Sequence, residues 1–196
     1  MRTHRGALLL AGALGIVALS GCGATGSPGA DPTQVPPQVL TASPTPTAAD
    51  PAREEAAQRA DRWLSTAAVP PGAVRVTGPT TSFNSSQGWV CEPTITKQGF
   101  WTVEGMSFAD VANWMMANPT PGLISNRTGP LDPNSPADEV NIGNVPHRGA
   151  LEGVVFTVAK ASDGTVAIHA EIGAAATDAV CPTPPGGGSW GEPGMG

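Results

Sequence analysis

The chain has no tyrosine, and only 13 % of its 196 residues are charged. Lys and Arg are too few and too scattered to form a basic stripe. That argues against nucleic acid and against an electrostatic grip on anionic lipid. Beyond the first few residues only His147 and His169 remain, without the i, i+4 pairing of a helical zinc site. No Gly-x-Ser-x-Gly elbow marks a serine hydrolase, and no Gly-rich loop between a strand and a helix is placed to cradle a phosphate. No cofactor is implied. Long apolar runs are missing too, since Ala7 to Leu19 falls short of the ~20 residues a membrane-spanning helix needs. What is plentiful is Gly (25), Pro (21) and small apolar side chains. Such a composition predicts one modest core with unstructured segments around it.

The start of the chain carries the sharpest local pattern. Arg2, His4 and Arg5 form a basic opening, Ala7 to Leu19 an apolar stretch, and Leu19-Ser20-Gly21-Cys22 its close. This is the layout of a secretory signal. Ala18-Leu19-Ser20 also offers a small-x-small site for ordinary cleavage. The Leu-Ser-Gly-Cys ending resembles the lipobox of bacterial lipoproteins, in which the cysteine is diacylated on sulfur and becomes the first mature residue. That resemblance implies a signal peptide over 1–21, lipidation at Cys22 and an extracytoplasmic location on the cell membrane. Removing residues 1–21 leaves eight basic residues against sixteen acidic ones, a formal charge of −8.

Behind Cys22, residues 22–49 hold Pro28, Pro32, Pro36, Pro37, Pro44 and Pro46 among Thr, Ser, Ala and Gln. With no apolar period to bury, they read as a tether. It reaches roughly 80 Å as polyproline II and about 30 Å as a coil. With Cys22 assigned to lipid, Cys91 and Cys181 are left to pair in an exported chain. By loop entropy that bridge contributes about 4 to 5 kcal/mol. A metal or redox pair would need a neighbouring His or a Cys-x-x-Cys spacing, and neither is present.

The folded part is expected over 50–181 as a single α+β domain, two helices on a twisted, mostly antiparallel sheet. Asp50 and Pro51 suit an N-cap and first helical position, and Ala56, Ala60, Trp63, Leu64 and Ala67 share one helical face. A short strand follows over 73–77, and residues 79–88 read as polar turn material. Trp89–Cys91 and Gly99–Glu104 read as two further strands. Ser107 with Asp110 resembles a capping box for a second helix faced by Phe108, Val111, Ala112 and Met115. Both helices lead through a Pro-Gly turn into a short strand. Either an αβ duplication or chance reuse of helix-stop chemistry accounts for that echo.

Residues 153–160 and 165–173 are the clearest strands, joined through Ser162-Asp163-Gly164. A two-residue Asp163-Gly164 turn would pair Val158 with His169 and mix polar with apolar on one face. A three-residue turn with Gly164 left-handed pairs Val158 with Ile168, Phe156 with Ala170 and Val154 with Ile172. That register gives a continuous apolar face and is the one expected. His169 and Glu171 then share the opposite, solvated face. The tail, 182–196, is Gly/Pro-rich and is predicted to be disordered, with Trp190 stranded in it.

Candidate binding residues fall in two groups. Residues 129–149 form the longest stretch without periodicity and include Asp132, Asp138 and Glu139, which makes it the candidate binding loop. With Asn134 these are oxygen ligands of the kind calcium takes, but they lack the spacing and central Gly of an EF-hand, so no metal site is assigned. His169 and Glu171, two apart on a strand, could orient an imidazole beside a carboxylate for acid–base work, or simply decorate a wet face. The layout of lipobox, Pro/Thr tether and small disulfide-bonded domain resembles small, uncharacterised surface lipoproteins of actinomycete-type Gram-positive bacteria. The expected role is a non-enzymatic binding or interaction module of the cell envelope. Its expected partners are the membrane through the lipid and an envelope protein or small ligand, without nucleic acid. The alternative is a lipid-anchored envelope hydrolase. A two-lobed solute-binding protein would need a larger folded part.

Overall fold

The structure, a computed structural model, describes residues 50–127 and 129–195. The expected signal peptide, Cys22 and the whole of the expected tether, 22–49, lie outside the described residues. Helix α1, Pro51–Ser65, begins where Asp50 accepts a hydrogen bond from Ala52 N, with Pro51 at the first position. Its Ala56, Ala60 and Trp63 are buried, as the 3.6-residue spacing requires. Helix α2, Phe108–Ala117, starts at Ser107, which accepts from Asp110 N while its own hydroxyl reaches Asp110 Oδ2.

The strands are β1 (Val74–Val76), β2 (Glu92–Val103), β3 (Ile124–Ser125), β4 (Glu139–Val145), β5 (Gly153–Lys160) and β6 (Val166–Val180). They form one sheet in the order β1-β2-β6-β5-β4-β3, with every neighbouring pair antiparallel. The fold is therefore α+β, two helices on a six-stranded antiparallel sheet. α1 lies over β6 and β2, and α2 over β5 and β4. The two helix–turn–strand echoes end at opposite edges, β1 and β3, each after a left-handed glycine, Gly72 or Gly122.

The core sits between the helices and one sheet face. Val154, Phe156 and Val158 of β5, Ile168, Ala170 and Ile172 of β6, and Trp101 and Val103 of β2 meet Trp63, Val111 and Met115 there. The β5–β6 register is the expected one: Val158 pairs with Ile168, Phe156 with Ala170 and Val154 with Ile172. Gly164 is left-handed at φ 85°, and Ala161 N donates to Thr165 O across the three-residue turn. Arg59 ties α1 to the far end of the sheet by donating to Glu152 and to the Ala175 carbonyl.

Three boundaries differ from expectation. Trp89–Cys91 is not a strand. Pairing starts at Glu92, shifts register before Thr94 and then runs in one register to Val103, because β6 extends to Val180 and supplies a partner for the β-branched Thr94-Ile95-Thr96 run. A third of the candidate loop at 129–149 is strand β4. Its alternation was concealed by Asn141, Gly143 and Asn144, whose backbones pair with β5 although their side chains are atypical for strands. The third is the tail. Its Pro193 and Gly194 are buried against the sheet.

Candidate functional site

The sheet face turned away from the helices carries Glu139, Asn141 and Gly143 of β4, Val155 and Thr157 of β5, and His169, Glu171 and Gly173 of β6. Period-2 alternation puts them there, because their neighbours fill the core. This face was expected to be wet. Instead, His169 and Glu171 are 8 % and 7 % exposed, and Val155 only 2 %. Two segments cover it. The first, 83–89, runs beside β6: Phe83 meets His169, Gln87 N donates to Glu171 Oε2 at 2.8 Å, and Trp89 lies over Gly173. The second is the tail. Pro193 O accepts from Asn126 Nδ2 at 2.6 Å, Gly194 N donates to Gln87 Oε1 at 2.9 Å, and Glu192 Oε1 accepts from Gly149 N at 2.7 Å. Trp190 is not stranded: its indole N–H donates to Pro182 O.

The physical reason is the apolar content of the outer face. Val155, Ala159 and Ala167 alternate with the polar residues, and Phe100 adds a ring, so the face buries area when covered. The sequence did carry a signal for this cover. Phe83 stands inside residues otherwise read as turn material and Trp89 at the start of an expected strand, and they are two of the side chains that dock.

Between the cover and the sheet lies a cleft of about 330 Å³, bounded by Asn84, Ser85, Ser86 and Gln87 above, by Asn141, Val155 and Thr157 below, and by Gly194 at one end. Its polar groups form a network. Glu139 accepts from Asn84 N at 2.8 Å and from Ser85 Oγ at 2.5 Å. Asn141 Oδ1 lies 3.0 Å from Ser85 Oγ and accepts from Thr157 Oγ1, also at 3.0 Å. Asn141 Nδ2 is thereby the free end of that amide. Both nearby carboxylates, Glu139 and Glu171, are occupied by donors from the 84–87 segment. The lining is hydroxyl and amide, with an apolar floor at Val155. A second cleft of about 440 Å³, bordered by Trp190 and Leu151, adjoins the first across the Gln87–Gly194 contact.

His169 is the anomaly beside this cleft. It pairs across β5–β6 with Thr157, a floor residue of the cleft. Its ring stacks on Phe100 at 4.5 Å between centroids and is covered by Phe83 at 5.2 Å. Both ring nitrogens are buried with no hydrogen-bond partner. Burial holds its pKa below the usual 6.5, while the nearby Glu171 carboxylate opposes that shift. His169 and Glu171 share a face, as expected, but no hydrogen bond joins them, so they do not form an oriented acid–base pair.

The acidic residues of 129–149 part company. Asp132 accepts from Asn134 N in a local turn, Asp138 pairs with Lys160 at 3.0 Å, and only Glu139 reaches the cleft network. Among the described residues no three His, Cys, Asp or Glu side chains converge as metal ligands would. Cys91 and Cys181 are joined in a disulfide. Asn141, Thr157 and Ser85 were missed as site residues. Asn141 lay in a strand not recognised, and Ser85 looked like one of many turn serines. Comparison with protein-family models, with curated proteins and with solved structures finds no match to this chain.

Proposed function

We propose that the protein is a lipid-anchored lipoprotein on the extracytoplasmic face of the cell membrane, and that its domain is a non-enzymatic binding module for a small polar ligand. The anchor reading rests on Arg2 and Arg5, the apolar stretch to Leu19 and the Leu-Ser-Gly-Cys close at Cys22. The binding reading rests on one observation, the cleft between the 84–87 segment and the outer sheet face. Its size is at the low end for ligand pockets, and a few convergent polar groups over an apolar floor are the usual makings of one. A tether of residues 22–49 would hold such a module clear of the headgroups while keeping it at the surface.

The test is a titration of the isotope-labelled full-length protein in detergent with fractionated small molecules of the cell envelope, read by amide chemical shifts. Shifts centred on residues 84–87, 141, 157 and 194 are expected. Shifts centred instead on the helix side, at Gln58 or Arg75, would overturn the cleft as the site.

A further inference from the structure

We infer that the seat of the tail is a receptor for an acidic Pro-Gly turn, and that Glu192-Pro193-Gly194-Met195 is its resident occupant, which a matching turn of another chain displaces. The seat stands apart from the cleft under residues 84–87, with which it shares only Gln87 and Gly194. Met195 N donates to Glu192 O at 3.1 Å, and Gly194 stands at φ 80° after Pro193. That is the type II pattern, with Pro and Gly at the two central positions that favour them. Such a turn is shaped before it binds, so little chain freedom is lost on docking.

The groups that hold the turn match it one for one. The Glu192 carboxylate accepts from Gly149 N at 2.7 Å and faces Arg148 Nη1 at 3.4 Å. Asn126 Nδ2 donates to Pro193 O at 2.6 Å, and Gln87 Oε1 accepts from Gly194 N at 2.9 Å. Proline brings no N–H that burial would strand. Glycine is required at 194, since a Cβ there would run into the Gly143 backbone. The receiving side is set without the tail: Asn126 N donates to Gly143 O and Gly143 N to Asn126 Oδ1, which aims the amide nitrogen at the seat. The seated turn, by contrast, hangs on an exposed connection. Residues 185–189 are exposed, and Gly186, Gly187 and Gly188 are all left-handed. Gly187 N and the Trp190 indole donate to Pro184 O and Pro182 O, within the tail itself. A turn held at three residues on such a lead exchanges with a competitor by mass action. Among the described residues three further Pro-Gly turns, at Gly72, Gly122 and Gly186, start from Pro70, Thr120 and Pro184 where the seated one starts from Glu192. The carboxylate singles out the occupant.

The experiment uses the full-length protein in detergent and a blocked synthetic peptide of residues 189–195. Gly194→Val in the protein unseats its own turn and leaves every group of the seat in place. The peptide is expected to shift the Asn126 side-chain amide and the Gly149 amide of that variant. It should bind the native chain about tenfold more weakly or worse, because the attached turn competes. A peptide with Glu192→Lys, one with Gly194→Val and one of residues 182–188 should each bind the variant about tenfold more weakly or worse. A Gly149 amide that stays protected from exchange in Gly194→Val would mean that valine is seated, and the requirement for glycine falls with the proposal. Should that variant lose the protection of its β5 amides, Glu192→Lys in the full-length chain takes its place with the same expectations. The receptor falls if the peptide leaves Asn126 and Gly149 unmoved in the unseated protein, or if the control peptides bind equally. It falls too if the native chain shows no shift at about 10 mM peptide, above the effective concentration of a short flexible link, because the tail is then a fixed part of the fold.

Discussion

Cys91 and Cys181 are bonded to each other near the point from which both covering segments depart: the 83–89 segment ends two residues before Cys91, and the tail begins after Cys181. One covalent link therefore fixes the base of the whole outer cover. It also closes a loop of 90 residues that contains every strand of the sheet but β1.

Replacing both cysteines by serine should cost about 4 to 5 kcal/mol by loop entropy, read as a lower denaturant midpoint. The more specific outcome is local. Amides of 84–88 and of Gly194 should lose hydrogen-exchange protection together, ahead of the core amides of β5. Protection that stays unchanged on either segment would show that the link does not hold the cover.

His169 makes stability depend on pH with a definite sign. Its folded pKa lies below the ordinary 6.5, chiefly because burial penalises the imidazolium. Above 6.5 both folded and unfolded imidazoles are neutral, and the full stability is present. As pH falls below 6.5 the unfolded state takes up a proton that the folded state resists, so stability declines until the folded pKa is passed. Asp163, whose carboxyl is held below 3.8 by Thr165, acts only in more acid solution. Urea midpoints measured from neutral pH down to about pH 5 should fall for the native chain and fall less for His169→Phe. Equal slopes would place the sensitivity elsewhere.

The inner half of this domain was legible in the sequence because one physical constraint governed it. Val154, Phe156 and Val158 could meet an apolar partner in only one register, and that fixed Gly164 in the turn and His169 on the far face. Capping chemistry at Asp50 and Ser107 located both helices for equally local reasons. The outer half was not legible. Nothing in Gln87, Asn126, Pro193 or Gly194 announces that these residues will meet, since each contact joins residues far apart in the chain. Asn141 was hidden because a strand with Asn, Gly and Asn at alternating and adjacent positions has no hydrophobic period. Sequence placed His169 and Glu171 side by side; the cover that buries them came from segments read as turn and tail.

The proposed anchor is tested at Cys22. Cys22→Ala should accumulate as uncleaved precursor or be released, and a form cleaved ahead of residue 22 should no longer partition with membranes. One acyl chain binds a membrane only marginally and two bind stably, at about 0.8 kcal/mol per buried methylene. Removing the sulfur thus removes the grip outright. A mature-length Cys22→Ala protein that still sediments with membranes would rule out the lipid as anchor.

The tail's seat depends on Gly143 having no side chain. A Cβ there would run into the Pro193 carbonyl and the Asn126 amide, and Gly194, left-handed at φ 80°, brings its own backbone against Gly143. Gly143→Ala should therefore push residues 192–195 off the sheet at a cost of about 1–3 kcal/mol, the usual penalty for overpacking. Asn126→Ala attacks the same seat from the other side. It removes the donor to Pro193 O and the acceptor for Gly143 N without adding bulk. Both variants should speed hydrogen exchange at Gly194 and at Gly149, whose amide is held by Glu192. Both should also change the emission of Trp190, which borders the adjoining cleft. With the tail released, the contact between Gln87 and Gly194 is lost and the two clefts become continuous. A ligand of the cleft at residues 84–87 should then bind and leave faster, because the end wall of the site is gone. A Gly194 amide that stays protected in both variants would mean the tail is held by something other than this glycine-to-backbone contact.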